Sequence, residues 1–268
     1  MDLRITLIQT KLSWEDVSKN ISHFSSLIKK IKTGSTDLIL LPEMWSTGFS
    51  MRPSQFAETM DGSAVQWMRE TAKQKKAVLC GSLMMKEENK FYNRLIWMRP
   101  DGTHEIYDKK HLFQMGAEHN NYSAGTKKII VELKGWKISP LICYDLRFPV
   151  WSRNRQEARG KEQDANYYDL LIYAANWPER RKQAWKQLLI ARAIENVSYV
   201  AGLNRIGKDG NAINHTGDSG VFDFLGNKIS KTKPLQESIE TIKLSKKDLE
   251  KFRKDFPVLN DGDLFEIK

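Results

Sequence analysis

Short apolar runs separated by amphipathic stretches dominate the first two thirds of the chain, the pattern of strands interleaved with helices. LRITLIQ near the N-terminus, DLILLPE ending at Glu43 and AVLCGSLM around Cys80 each read as a strand. Between them, SWEDVSKNISHFSSLIKKIK and a segment from about Ala64 to Lys75 read as helices, with Ser13 placed to cap the first. From Lys90 the pattern changes to adjacent strands, KFYNRLIWMRPDGTHEIYDKKHLF, in which Pro100-Asp101-Gly102 supplies hairpin-turn chemistry. KIIVELKGWKISPLICYD and DLLIYAANWP continue the strand series, a helix is expected from about Lys182 to Asn196, and strands return near YVAGLNRIG and SGVFDFLGN. The pattern predicts an α/β (or α+β) layered protein with mixed sheets.

No repeat of 20 to 50 residues and no Gly/Ser/Pro-rich linker divides the sequence, so residues 1–268 read as one domain. The tail after about Asp248, DLEKFRKDFPVLNDGDLFEIK, scatters aromatic residues among charges. It suits an extension at about 248–268 lying against another surface; a frayed end is the alternative.

Composition bounds the function classes. With 40% hydrophobic and 28% charged residues, the chain sits in the ordinary globular range. Cys80 and Cys143, each after apolar strand residues, make a disulfide scaffold improbable and point to a reducing compartment. The N-terminus lacks a leader pattern and no window approaches a membrane span, so the expectation is a cytoplasmic protein with no membrane partner. Lys and Arg number 43 against 33 acidic residues, a net +10 that invites a nucleic-acid hypothesis. The basic residues are spread along helix-like segments, however, without zinc-finger spacing or an aromatic RNA-binding box, and no nucleic-acid partner is expected.

Three residues stand where strands give way to loops. Glu43 closes DLILLPE, a position where a sheet fixes a side chain and a loop gives access, although a capping carboxylate would sit there equally well. Lys109 closes IYDKK with His111 two residues on; beside a carboxylate, a buried lysine can stay charged and stabilise an oxyanion, but it could also be one more surface cation. Cys143 ends ISPLIC and is followed by Tyr144, Asp145 and Arg147, a placement resembling the elbows that expose nucleophiles; a packing cysteine is the competing reading, and the one adopted for Cys80. A Cys-His enzyme using His111 or His215 is the nearest mechanistic rival. No ligand-spaced Cys or His pair suggests zinc, and neither a metal nor a cofactor is expected.

In combination the flanks LLPEMWSTGF, YDKKHLF and LICYDLRFP, in that order, resemble the nitrilase, or carbon-nitrogen hydrolase, superfamily. PEMWSTGF, YDKKHLF and CYDLRFP are most similar to its omega-amidase branch. The resemblance implies a four-layer αββα sandwich, paired to αββααββα in a homodimer, with the tail from about Asp248 across the partner. It implies a Glu43-Lys109-Cys143 triad, with Lys109 selected over Lys110 by the K-x-H-L pattern and Glu118 as the second glutamate. The implied reaction converts the terminal amide of 2-oxoglutaramate or 2-oxosuccinamate to acid and ammonia through a cysteine thioester. Tyr144 N–H would serve the oxyanion, Arg147 the substrate carboxylate, and Trp45, Phe49 and Trp177 would wall the pocket. Another amidase or an N-carbamoyl hydrolase of the superfamily, and a non-catalytic binding protein on the same fold, are the alternatives.

Overall fold

Odd and even residues of the N-terminal strands face different neighbours, and that parity builds the layers. In the computed structural model, which describes residues 1–154 and 167–263, β1 (Leu3–Gln9), α1 (Val17–Lys29), β2 (Leu38–Leu40), α2 (Pro53–Phe56) and α3 (Ser63–Lys75) come first. β3 (Val78–Glu87), β4 (Lys90–Met98) and β5 (His104–Asp108) complete the N-terminal half. β6 (Val131–Leu133), β7 (Trp136–Ile142), α4 (Pro149–Ser152), β8 (Leu170–Ala175), α5 (Lys182–Glu195) and β9 (Tyr199–Asn204) follow. β10 (Ile206–Lys208), β11 (Asn214–Thr216), β12 (Gly220–Phe222), β13 (Ser238–Leu244) and α6 (Lys246–Asp255) end the series.

One sheet has the order β13-β1-β2-β3-β4-β5 and the other β12-β9-β8-β7-β6, while β10 and β11 form a separate hairpin. β1, β2 and β3 are parallel, as are β7, β8 and β9. Leu3, Ile5 and Leu7, with Leu38, Leu40, Leu95 and Trp97, point toward Ile138, Leu170 and Val200 of the second sheet. Ile8, Ile39, Leu79, Ile96 and Met98 point the other way, onto Phe24 and Leu27 of α1 and Val65 and Met68 of α3. Burial of each such side chain contributes about 1.5–3 kcal/mol, which is why a one-residue slip of register is not tolerated. On the far side α5 presses Leu189 and Trp185 against Gly202 of β9, where an added Cβ would come within 2.5 Å of Leu189. The layers therefore run helix, sheet, sheet, helix, as the resemblance implied.

One detail departs from the sequence reading and two go beyond it. The first helix is capped by Asp16, whose carboxylate accepts the Lys19 N–H at 2.9 Å; the Ser13 N–H instead donates to Asn20 Oδ1 at 2.8 Å. β13 pairs with β1 along its whole length, from Leu3 opposite Leu244 to Gln9 opposite Ser238. The start of the tail lies on its own chain: Leu249 of α6 is buried in the core, and Arg253 donates to the carbonyls of Tyr168 and Val197. Residues 264–268 of the expected extension lie outside the described residues. Among the described residues no helix is long and apolar enough to cross a membrane.

Candidate active site

Four strand ends converge on one crevice. Glu43 follows β2 by three residues, and Lys109, Cys143 and Asn176 come directly after β5, β7 and β8. The carboxyl ends of parallel strands are where open α/β sheets place reacting groups. Cys143 adopts φ +40°, a left-handed conformation costing a residue with a Cβ on the order of 1–3 kcal/mol. The elbow is held by Asp145, whose carboxylate accepts from Ile142 N at 3.1 Å, His111 N at 3.0 Å and Tyr107 Oη at 2.7 Å. Met44, after Glu43, is left-handed as well, at φ +42°.

Behind the thiol lies a buried charge cluster. Lys109 Nζ donates to Glu43 Oε1 at 2.8 Å and to Glu118 Oε1 and Oε2 at 3.0 and 2.9 Å. Asn93 Nδ2 bridges the same two carboxylates, at 2.8 Å from Glu43 and 3.1 Å from Glu118, and Ser82 Oγ fixes its other end. The second Glu43 oxygen accepts the Asn176 N–H at 2.8 Å, while the Asn176 side chain donates to the Glu43 carbonyl. Glu43, Glu118 and Lys109 are all essentially inaccessible, and such charges persist in a core only when fully paired.

These neighbours set protonation. Burial would push the Lys109 ammonium down, but Glu118 and Glu43 hold it above the ordinary lysine range, so it is cationic. Burial raises the Glu118 carboxyl, with Lys109 opposing and Glu43 reinforcing the rise. Burial, then the adjacent Glu43 carboxylate, pushes the Cys143 thiol well up, against a smaller opposing pull from Lys109. The resting group is a neutral thiol beside Glu43. Such a thiol becomes a nucleophile when its proton moves to that carboxylate during attack.

The pocket over Cys143 is lined by Phe49, Phe113, Tyr144, Arg147, Trp177 and Arg181, among others. Phe49 has its ring centroid 5.1 Å from Lys109 Nζ, and Arg147 Cζ lies 5.0 Å above Trp177. Glu43, Lys109, Glu118, Cys143, Tyr144, Arg147, Phe49 and Trp177 are thus brought to one place. Trp45 is not. The left-handed Met44 turns the chain, and the Trp45 indole packs in the helical layer, 5.3 Å from Phe24 and 4.8 Å from Trp67 between centroids.

Of the rival histidines, His111 is bound to Asp145 and does not line the pocket. His215 does line it, but burial, with Arg205 adding to the effect, lowers it to about 4, and Ile213 O accepts from its Nδ1 at 3.1 Å. Sequence reasoning assigned no role to Asn93, Asn176, Arg181 or the β10–β11 hairpin. Asn93 is buried by β4 between the Glu43 and Glu118 carboxylates, next to Arg94, which the same strand ties to Asp108 and Glu87, and nothing in KFYNRLIWM marks it out. Among the described residues no group of acidic, His or Cys side chains is arranged to hold a metal.

The family model for carbon-nitrogen hydrolases matches residues 4–254. Omega-amidase YafV of Escherichia coli K12 is 43% identical over 265 residues, spanning 99% of this chain and 98% of its own. A 2-oxoglutaramate amidase of Bacillus subtilis is 33% identical over 264 residues, spanning 97% of this chain and 98% of its own. The crystal structure of XC1258 from Xanthomonas campestris, a CN-hydrolase superfamily protein with an arsenic adduct in its active site, superposes with a TM-score of 0.96 at 43% identity. It covers all of both chains.

Proposed function

The chain belongs to the carbon-nitrogen hydrolase family and is a hydrolase of non-peptide carbon–nitrogen bonds, and from that premise we propose that it is an omega-amidase acting on 2-oxoglutaramate and 2-oxosuccinamate through Glu43, Lys109 and Cys143. The observation that carries the reading is the placement of one carboxylate: Glu43 accepts from Lys109 at 2.8 Å and lines the same pocket as the Cys143 thiol, whose proton it helps to hold.

In this reading Glu43 takes the thiol proton as Sγ attacks the amide carbon, and the carbonyl electrons become an oxyanion. Lys109 Nζ and the N–H of Tyr144 stabilise it; each such donor is worth about 10²- to 10³-fold in rate. Tyr144 is suited because it stands at the start of the 3₁₀ turn Cys143–Arg147, where N–H groups lack an intrahelical acceptor. As the tetrahedral species collapses, Glu43 gives its proton to the nitrogen, the C–N bond breaks and ammonia leaves a thioester on Cys143. Glu43 then deprotonates water for attack on the thioester. Collapse of that second adduct breaks the C–S bond, releases the acid and returns the proton to sulfur.

Glu118 acts by holding Lys109 in place at 2.9–3.0 Å. Arg147, on the pocket wall, suits the substrate's carboxylate because a guanidinium fork matches it in bidentate geometry. Phe49 and Trp177 flank the carbon chain. We also propose a homodimer in a reducing cytoplasm, which would keep the thiol free; the mass in solution tests the assembly.

The test of function is ammonia release from 2-oxoglutaramate, 2-oxosuccinamate, glutamine and N-carbamoyl amines by wild type and Cys143→Ala. Release from the two 2-oxo amides, abolished by Cys143→Ala, is expected. No release from either would sink the omega-amidase assignment, and release unaffected by the substitution would sink the cysteine mechanism.

A further inference from the structure

Among the described residues, three arginines border the pocket, Arg147, Arg180 and Arg181, against a single carboxylate other than Glu43, that of Asp209. Asp209 is committed elsewhere: its Oδ1 accepts the N–H groups of Asn211 and Ile213. Among the described residues, neither Arg147 nor Arg181 has a hydrogen bond or ion pair from its guanidinium to a protein carboxylate. Both are half-buried instead over aromatic faces, Arg147 Cζ 5.0 Å above Trp177 and Arg181 Cζ 4.9 Å above Phe113. Stacking of this kind fixes the plane of the guanidinium and leaves its in-plane N–H donors free to point outward.

Arg181 is also fixed from its backbone. It ends the 3₁₀ turn Glu179–Arg181 leading into α5, and its carbonyl accepts from Trp177 Nε1 at 2.8 Å. Trp177 thus underlies one guanidinium and anchors the backbone of the other. Two like charges are thereby held toward one cavity with no carboxylate bonded to either among the described residues, an arrangement that an anionic ligand relieves. Burial, then Arg180 and Arg147, lower Arg181 below the ordinary arginine range, while a negative charge on Cys143 would favour its cation.

We propose that Arg181, paired with Arg147, reads the 2-oxo acid end of the substrate and makes the pocket selective for amides that carry a carboxylate away from the scissile bond. This rests on the omega-amidase reading above. A 2-oxo acid presents three oxygens, two from the carboxylate and one from the ketone, and two guanidinium forks meet three acceptors better than one does. Arg181 is a specificity residue and takes no part in bond making at sulfur.

The experiment uses two readouts on wild type, Arg181→Gln and Arg181→Lys. The first is KM and kcat for 2-oxoglutaramate. The second is the alkylation rate of Cys143, followed by peptide mass, with anionic iodoacetate and neutral iodoacetamide; the neutral reagent reports thiol reactivity and folding, and the ratio reports charge preference. In Arg181→Gln, KM should rise about tenfold or more and the iodoacetate-to-iodoacetamide ratio should fall by a similar factor, with partial recovery in Arg181→Lys. An unchanged ratio with intact turnover overturns the Arg181 assignment alone, and equal slowing of both reagents assigns Arg181 a merely structural role. Wild type that releases no ammonia from 2-oxoglutaramate, yet prefers iodoacetate in an Arg181-dependent way, overturns the omega-amidase reading and keeps the anion preference.

Discussion

His111 Nδ1 lies 2.8 Å from Asp145 Oδ1, with the imidazole stacked on Phe148 at 3.7 Å between centroids and 5° between planes. The same carboxylate oxygen accepts the His111 N–H. This histidine braces the elbow that carries Cys143 and offers its ring nitrogen to Asp145 instead of the thiol.

His111→Asn should therefore lower stability by about 1–3 kcal/mol, the range for losing a hydrogen bond to a buried charged group, while retaining most of kcat in the folded fraction. Glu43→Gln should do the reverse: fold normally and lose about 10²- to 10⁴-fold in kcat, the span assigned to a general base. Urea unfolding and ammonia release on both variants check this. A folded but inactive His111→Asn beside an active Glu43→Gln would reinstate a Cys-His pair.

Lys109 is the lone cation between the Glu43 and Glu118 carboxylates. Lys109→Met leaves two buried carboxylates facing each other and should cost about 3–5 kcal/mol of stability, as breaking a buried ion pair does. With the ammonium gone, the main opposition to the burial that already raises the Glu118 carboxyl is lost, so its folded-state pKa lies further above its unfolded one. Stability is then retained at acid pH and lost as pH rises through the folded value. Urea midpoints at pH 5 and pH 8 should differ more for this variant than for wild type. Lys109→Met/Glu118→Gln, with one carboxylate fewer, should recover part of the loss; no recovery would mean that repulsion is not the cause.

The strand-end positions of Glu43 and Cys143 were readable because a buried strand announces itself as an apolar run, whereas Lys109 follows the half-exposed β5 and was readable through the YDKKHLF motif. Side-chain direction was not readable: whether Trp45 faces pocket or helices turns on the left-handed Met44, which carries no sequence signal in a residue that is neither Gly nor Asn. The pairing of β1 with β13 joins positions 229 to 241 residues apart, which no local pattern can signal. Arg181 looks like any of 43 basic residues until Phe113 is seen beneath it.

His215 is buried beside the pocket and lowered to about 4, chiefly by loss of hydration and then by Arg205. The unfolded chain binds this proton near the ordinary histidine value of about 6.5, so between there and about 4 the unfolded state holds more protons than the folded one. Stability should fall with pH across that window, by on the order of 3 kcal/mol in total, and the slope should flatten below it. His215→Gln should remove this part of the acid limb in urea unfolding measured from pH 7 to pH 4. An identical slope in both proteins would refute a buried neutral imidazole.

Asp169 holds the C-terminal helix onto the body of its own chain. Its Oδ1 accepts from Arg253 Nη1 at 2.9 Å, and its Oδ2 accepts from the Lys137 N–H at 2.9 Å and from Lys246. Arg253 also donates to Val197 O at 3.0 Å and Tyr168 O at 2.7 Å, so one side chain closes three contacts between α6 and the segments entering β8 and β9. Arg253→Met keeps the aliphatic stem and removes those donors, leaving Asp169 with Lys246 and a backbone N–H. The loss should be about 1–3 kcal/mol, a fall in Tm of several degrees for a chain this long, without a change in KM because the helix is remote from the Cys143 pocket. A tail that served the subunit interface would behave differently: Arg253→Met would lower the mass in solution, and the Tm deficit would grow on dilution. A concentration-independent loss with unchanged mass therefore assigns α6 to the stability of the single chain, whereas a dilution-dependent loss returns it to the interface.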